Sequence, residues 1–327
     1  MRWLRDNRLA VIGLAALFVV TAVLVGFALR PVQAPGSDGP PYTPPPTNSP
    51  TARESPAEEP SPSESASEEP TEEPTDEATA ESPEPVPTTR LLTAASGDRA
   101  WRASVGSCEG PGALETSADG GESWDAVDPG LGPIVRIKAL DEDTVFAIGG
   151  DAECTPNFQI STSAGAQWQE LNGELGGSWY TEPADRNTIM GPGGEAAPCE
   201  ADLVDFAGLS NTVAMVLCTD GDLQSTTDSG ASWSSVGSAE GAVAITPQLD
   251  PNSEVQSYLL ASLDADCDGV AMRVIGTSGG GASDEPTGCA EVEGPEPGGV
   301  AVALTDETAW LWAGDEVRVS TDGGASW

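Results

Sequence analysis

Apolar positions fall into three regimes along the chain. From Leu9 to Leu29 (LAVIGLAALFVVTAVLVGFAL) twenty-one residues pass without a charge. As one helix that run can cross a hydrocarbon core of about 30 Å. From 30 to 89 apolar side chains are scarce and follow no period. From Arg90 onward, short Val/Ile/Leu/Trp-rich runs alternate with Gly, Asp and Ser, and none keeps a helical period. That texture predicts an all-β domain over 90–327. Five apolar runs stand out, each led by a polar turn: GDRAWRASVG (97–106), DEDTVFAIGG (141–150), LSNTVAMVLC (209–218), SEVQSYLLASL (253–263) and DETAWLWAG (306–314). They predict five buried strands.

The flanks of the first run orient it. Arg2, Arg5 and Arg8 precede it and Arg30 follows, which places residues 1–8 in the cytoplasm and makes 9–29 a transmembrane helix. The alternative is a cleaved secretory signal. Its apolar core would span only about 7–15 residues, and Pro35 after Val32-Gln33-Ala34 is a poor cleavage context. A single-pass signal anchor in the plasma membrane, with the C-terminal domain extracellular, is therefore expected. Residues 30–89 read as a disordered stalk of Pro-Ser-Glu-Thr blocks, such as SPAEEPSPSESASEEPTEEPTDE. Such a segment has too few apolar side chains to offset chain entropy. Proline stiffness and like-charge repulsion keep it extended.

Between the apolar runs a motif repeats. Ser117-Ala-Asp119-Gly-Gly121-Glu-Ser-Trp124 recurs as Thr226-Thr-Asp228-Ser-Gly230-Ala-Ser-Trp233 and as Ser320-Thr-Asp322-Gly-Gly324-Ala-Ser-Trp327. Ser161-Thr-Ser163-Ala-Gly165-Ala-Gln-Trp168 keeps the frame with Ser in place of Asp, and Gly276 to Ser283 is an eroded fifth copy without the Trp. The motif resembles the Asp-box, or BNR repeat, of sialidases, sortilin-type receptors, xyloglucan-degrading enzymes and a photosystem II assembly factor. The resemblance implies a β-propeller in which each box closes the hairpin between the third and fourth strands of a blade. It concerns architecture and not activity. The carboxylate accepts N–H bonds across the turn, the glycine takes a positive φ, and the tryptophan buries a large surface beneath it.

Five strands alternate with five boxes, which predicts five four-stranded blades. Successive third positions of the boxes are 44, 65, 50 and 44 residues apart, within reach of one blade each. Closure stays open at this stage. Trp327 ends the sequence where the last blade's fourth strand should begin. Either a strand near Val86–Arg90 completes that blade, or the chain is a fragment of a larger propeller. Pro85 and Pro87 suit only an edge.

Composition narrows the function. Thirteen Lys+Arg against fifty-three Asp+Glu give a net charge of −40. Nucleic acid, which needs clustered cations to displace its counterions, is not a partner. The chain has no histidine and a single lysine, Lys138. That removes His-based hydrolysis and His-ligated zinc. All six cysteines lie beyond the apolar run, as suits an oxidising compartment. Cys108 and Cys154 hold the same place in adjacent blades, and Cys199 and Cys218 sit where two antiparallel strand ends meet, leaving Cys267 with Cys289.

Asp264, Asp266 and Asp268, ahead of Gly269, match the first half of a calcium loop. Met272 and Ile275 stand where later ligands belong, so a solvated acidic turn is the expectation. No cofactor is expected, with calcium kept only as a weak ligand. A sialidase would need an arginine cluster, a tyrosine nucleophile and an acidic helper. Residues 90–327 hold seven arginines, two tyrosines and thirty-nine acidic residues, with no pattern that selects a catalytic set. Trp179-Tyr180, after Gly176-Gly177, could stack on a ligand or simply pack beneath its loop. The leading expectation is a non-catalytic module binding a protein or glycan. A glycan-active hydrolase is the alternative.

Overall fold

A computed structural model of the chain describes residues 83–248, 257–263, 267–276 and 285–327. The expected membrane span at 9–29, most of the stalk, Asp264, Asp266 and all but the first residue of the eroded fifth repeat lie outside the described residues. Among the described residues no helix is long and apolar enough to cross a membrane.

The described chain is a six-bladed β-propeller, one blade more than the sequence predicts. Blade 1 holds β1 (Arg90–Ala94), β2 (Ala100–Ser104), β3 (Ala113–Ser117) and β4 (Asp125–Val127). Blade 2 holds β5 (Ile134–Ala139), β6 (Val145–Gly150), β7 (Pro156–Ser161) and β8 (Gln169–Glu170). Blade 3 has three strands, β9 (Tyr180–Glu182), β10 (Asp185–Gly191) and β11 (Gly194–Ala196). Blade 4 is β12 (Leu203–Gly208), β13 (Ala214–Cys218), β14 (Asp222–Thr226) and β15 (Ser234–Ser238). Blade 5 is β16 (Ala242–Gln248), β17 (Ser257–Ser262), β18 (Gly269–Gly276) and β19 (Gly288–Glu291). Blade 6 is β20 (Val300–Thr305), β21 (Thr308–Ala313) and β22 (Glu316–Ser320). Every pairing is antiparallel between consecutive strands. The five predicted apolar runs supply the second strands β2, β6, β13, β17 and β21.

The extra blade is the third, folded from the long interval between the second and third repeats. It has no repeat turn of its own, and its second strand, DRNTIMG, buries only Ile189 fully. Neither of the two sequence markers was present to reveal it.

Six apolar clusters hold the ring together, one at each interface between neighbouring blades. Trp101, Leu114 and Ile134 pack between blades 1 and 2. Val135, Phe158 and Tyr180 fill the space between blades 2 and 3. Trp179, Ile189 and Phe206 lie between blades 3 and 4, and Met215, Leu217 and Tyr258 between 4 and 5. Leu259, Met272 and Leu311 join blades 5 and 6. Ala100, Ala303 and Trp310 join blade 6 to blade 1. A sheet buried on both faces must find a partner for each, and the ring supplies one without leaving a terminal face.

Residues 83–89, expected within the stalk, instead run along the ring. Thr88, 2% exposed, donates its N–H to Val204 O at 2.9 Å. Thr89 donates to Gly298 O at 2.8 Å and accepts from Val105 N–H at 2.9 Å. The segment therefore reaches from blade 1 to blade 4 on the opposite side. It does not complete blade 6, so the first of the two closures left open, by a strand near Val86–Arg90, is not the one observed. Blade 6 meets blade 1 face to face: Trp310 donates Nε1–H to Ser96 O at 3.0 Å and lies edge-on to Trp124 at 6.4 Å. Arg102 stacks between Trp124 and Trp312, at 4.3 and 4.9 Å from the ring centres, and pairs with Glu115 at 2.7 Å.

Candidate functional site

The repeat turns share one hydrogen-bond scheme. Thr226 donates Oγ1–H to Asp228 at 2.8 Å and accepts Gly230 N–H at 3.0 Å. Asp228 accepts Ser232 N–H at 2.9 Å and its hydroxyl at 2.6 Å. Ser117 with Asp119 and Ser320 with Asp322 repeat the arrangement. Ser161 accepts Gly165 N–H, and Ser163 accepts Gln167 N–H in the aspartate's place. The glycines Gly121, Gly165, Gly230 and Gly324 all have φ between 87° and 101°. Trp124, Trp168, Trp233 and Trp327 each pack into the interface with the preceding blade. The buried pivot is the first Ser/Thr hydroxyl, while the aspartates stay exposed. Pattern reading included Ser117, Ser161, Thr226 and Ser320 in the motif but assigned the hydrogen-bonding role to the carboxylate alone. We expect Thr226→Val, which keeps the shape and strands Gly230 N–H, to cost about 1–3 kcal/mol in chemical denaturation. An unchanged midpoint would count against the pivot.

These turns lie at the far end of each blade's third strand and build no common site. Asp268 is exposed beside buried Cys267. Among the described residues no group of three metal-ligating side chains converges. Trp179 and Tyr180 are 6% and 5% exposed; Trp179 bonds Ser210 O at 2.8 Å and lies edge-on to Trp233. Packing, not stacking on a ligand, is their role. The disulfides are Cys108–Cys154, Cys199–Cys218 and Cys267–Cys289.

What converges is the axis. The innermost strands β1, β5, β12, β16 and β20 enclose a cup of about 260 Å³. Its wall begins at Arg90, Val135, Asp205, Ile245 and Ala301 and ends near Ala139, Leu209, Pro247 and Asp306. Thr88 lies one residue beyond the wall's first rung, bonded to Val204 and Val300. The cup is thus closed at the end where the inner strands begin and opens where they end. Blade 3 contributes little to this wall, because β9 has three residues where the other inner strands have five to seven. Through that gap Arg136 of β5 reaches past blade 3 to stack on Phe206 of blade 4 at 4.9 Å. A side pocket of about 130 Å³ opens there, also lined by Arg136 and Lys138. Its far wall follows a 3-10 turn at Asn172–Gly177.

Among the described residues, Asp205 is the one carboxylate deep in the cup. Its oxygens accept Phe206 N–H at 2.8 Å and Ile245 N–H at 3.0 Å, tying β12 to β16. Burial pushes its pKa up to about 6, opposed by those N–H bonds and by Arg136 and Arg186. Burial lowers Arg136 to about 10, with Asp205 acting the other way. Lys138 is lowered by burial and by neighbouring Arg136.

These shifts fix a pH profile. Burial and nearby Glu195 and Asp185 also raise Glu182, so it and Asp205 favour the fold when protonated. Both contributions are full below the ordinary carboxylate value and fade as pH rises, that of Asp205 through about 6. The turn aspartates work oppositely. Hydrogen bonds from Ser123 and Ser117 hold Asp119 at about 2, and those from Ser326 and Ser320 hold Asp322 at about 2. Their contribution is present above the ordinary carboxylate value and is lost as pH falls toward 2. The melting temperature should peak between about pH 4 and 5. A monotonic rise from pH 4 to 8 in a thermal scan would contradict this.

The sequence matches no protein-family model and no curated protein. Solved structures are similar at low identity. A mutant of the Aleuria aurantia lectin AAL in complex with Fucα1-6GlcNAc is 11% identical with a TM-score of 0.42, covering 74% of this chain and 97% of that one. YCF48 bound to D1 peptide is 16% identical with a TM-score of 0.27, over 74% and 69% of the two chains. The GH74 enzyme of Niastella koreensis is 16% identical with a TM-score of 0.34, over 71% of this chain and 36% of that one. Neither ligand nor activity carries over at these values. The propeller assignment rests on this chain's own sheets and interfaces.

Proposed function

We propose that this chain is a membrane-anchored, extracytoplasmic propeller of the Asp-box type that acts as a non-catalytic binding module for a protein or glycan. The apolar run at 9–29 would serve as the anchor, and three disulfides suit the compartment outside. One observation carries the binding reading. The cup's single deep carboxylate has both oxygens engaged by backbone N–H groups, so the wall offers recognition surface without an opposed pair of free carboxylates. The test is a glycan and peptide array probed with the full chain in nonionic detergent. Saturable binding without product release is expected; turnover of a bound glycan would overturn the reading.

The hydrolase alternative retains one supporting observation: Asp205, raised to about 6, has the proton affinity of a general acid. Asp306, at the mouth, would be its partner. Loss of reducing-end release on Asp306→Asn would establish that alternative.

A further inference from the structure

We propose that the axial cup is an oxyanion site, taking the carboxylate or phosphate group of its ligand on Arg136 and Lys138. The inference rests on the cup being the ligand site and adds the chemistry it recognises.

Residues 90–327 hold eight cationic side chains among thirty-nine acidic ones. Two of the eight, Arg136 and Arg186, act electrostatically on Asp205, and Lys138 lies beside Arg136 in the lining of the same cup. Arg136 and Lys138 stand two apart on β5, so they share a face about 7 Å apart along the strand. That face turns toward Phe206, as the stacking of Arg136 shows. Both residues line the cup and the side pocket.

Their donors are unused. Among the described residues, neither the Arg136 guanidinium nor the Lys138 ammonium donates a hydrogen bond to protein, and no carboxylate lies within ion-pair distance of either. Arg186 Nε is buried without a partner as well. Asp205 offsets part of the charge of Arg136 and Arg186 without pairing with either, its oxygens accepting the N–H groups of Phe206 and Ile245. Leaving half-buried Arg136 without a partner is costly, while the exposed Lys138 ammonium is held by water that an anion can displace. Elsewhere on this acidic ring an anion is repelled. In the cup it meets two cations carrying free N–H groups, the arrangement that makes the strongest charge-assisted bonds. The floor at Thr88 makes the approach one-ended, so an anionic group enters by the mouth and stops beside β5.

The experiment is calorimetric titration of the full chain in nonionic detergent micelles with matched charged and neutral probes. N-acetylglycine and its amide test a carboxylate. Glycerol 3-phosphate and glycerol test a phosphate ester. We expect at least one charged probe to bind saturably and its neutral counterpart not to bind. The tighter of the two charged probes then identifies the source of the oxyanion. Lys138→Met, at an exposed position that should not perturb folding, should weaken the charged probe by about tenfold or more. Arg136→Gln should do the same, with folding checked by circular dichroism. Equal binding of charged and neutral probes, no binding of either charged probe, or an unchanged Lys138→Met would overturn the oxyanion site. A neutral array ligand still held by Lys138→Met would leave the binding-module reading standing while this inference fails.

Discussion

Replacing Trp179 by alanine should cost about 3–5 kcal/mol, the range for truncating a buried aromatic. The indole is the keystone between blades 3 and 4. It packs with Ile189, Leu203 and Phe206, lies edge-on to Trp233 at 6.0 Å, and its Nε1–H bonds Ser210 O at 2.8 Å. Two glycines are shaped to it. A Cβ at Gly191 would stand 2.3 Å from its ring and one at Gly208 2.9 Å. Removing the ring therefore leaves a void bounded by backbone, which cannot collapse as flexible side chains can. It also strands the Ser210 carbonyl. For a ring of this size the melting temperature should fall by about 10 °C or more, read by circular dichroism. Blade 3 should loosen first, with early hydrogen exchange across Asp185–Gly191. A loss under about 1 kcal/mol would show that blade 3 is held by other means.

The same indole explains what the sequence could and could not disclose. Four interfaces carry a tryptophan from a repeat turn: Trp124, Trp168, Trp233 and Trp327. Those turns are legible because one small hydrogen-bond scheme demands Ser or Thr, a turn acceptor, Gly and Trp at fixed spacing. The other two interfaces are filled by Phe158 with Tyr180 and by Tyr258 with Met215. These are ordinary apolar residues that obey no spacing rule. Blade 3 was invisible for that reason, and its strands are short and half-polar. Trp179-Tyr180 drew attention as an aromatic pair, and burial decides for packing.

The candidate site was less legible than the fold. Arg136, Lys138 and Asp205 are separated by up to 69 residues, and only the ring closure brings them to one axis. Lys138 could be noticed as the chain's sole lysine, and Arg136 as its neighbour two residues earlier. Nothing local marks Asp205 among so many carboxylates. The second strands were legible because burial on both faces makes them continuously apolar. Polar residues break the pattern of the inner strands β1, β5 and β12, whereas β16 (AVAITPQ) and β20 (VAVALT) are as apolar as the second strands. The acidic count suggested a surface hostile to anions throughout. It could not reveal that three of the eight cations, Arg90, Arg136 and Lys138, line the axial cup.

Breaking Cys108–Cys154 should remove about 4 kcal/mol, the largest effect expected of the three disulfides. The bond joins the β2–β3 loop of blade 1 to the β6–β7 loop of blade 2 across 46 residues. The other two close only 19 and 22 residues. In the chain-entropy account a longer loop gains more, about 4 kcal/mol at this length against about 3 for the shorter pair. Topology points the same way. Cys199–Cys218 and Cys267–Cys289 tie the end of a strand to its own or an adjoining segment, where hydrogen bonds and Leu203 or Val270 packing already hold the chain. Cys108 and Cys154 staple two blades at loops that carry little buried apolar surface. The double replacement Cys108→Ser with Cys154→Ser should therefore lower the denaturant midpoint more than either other double replacement. Full reduction should lower it further still. An order in which Cys267–Cys289 mattered most would show that blade 5, and not the junction of blades 1 and 2, is the weak point of the ring.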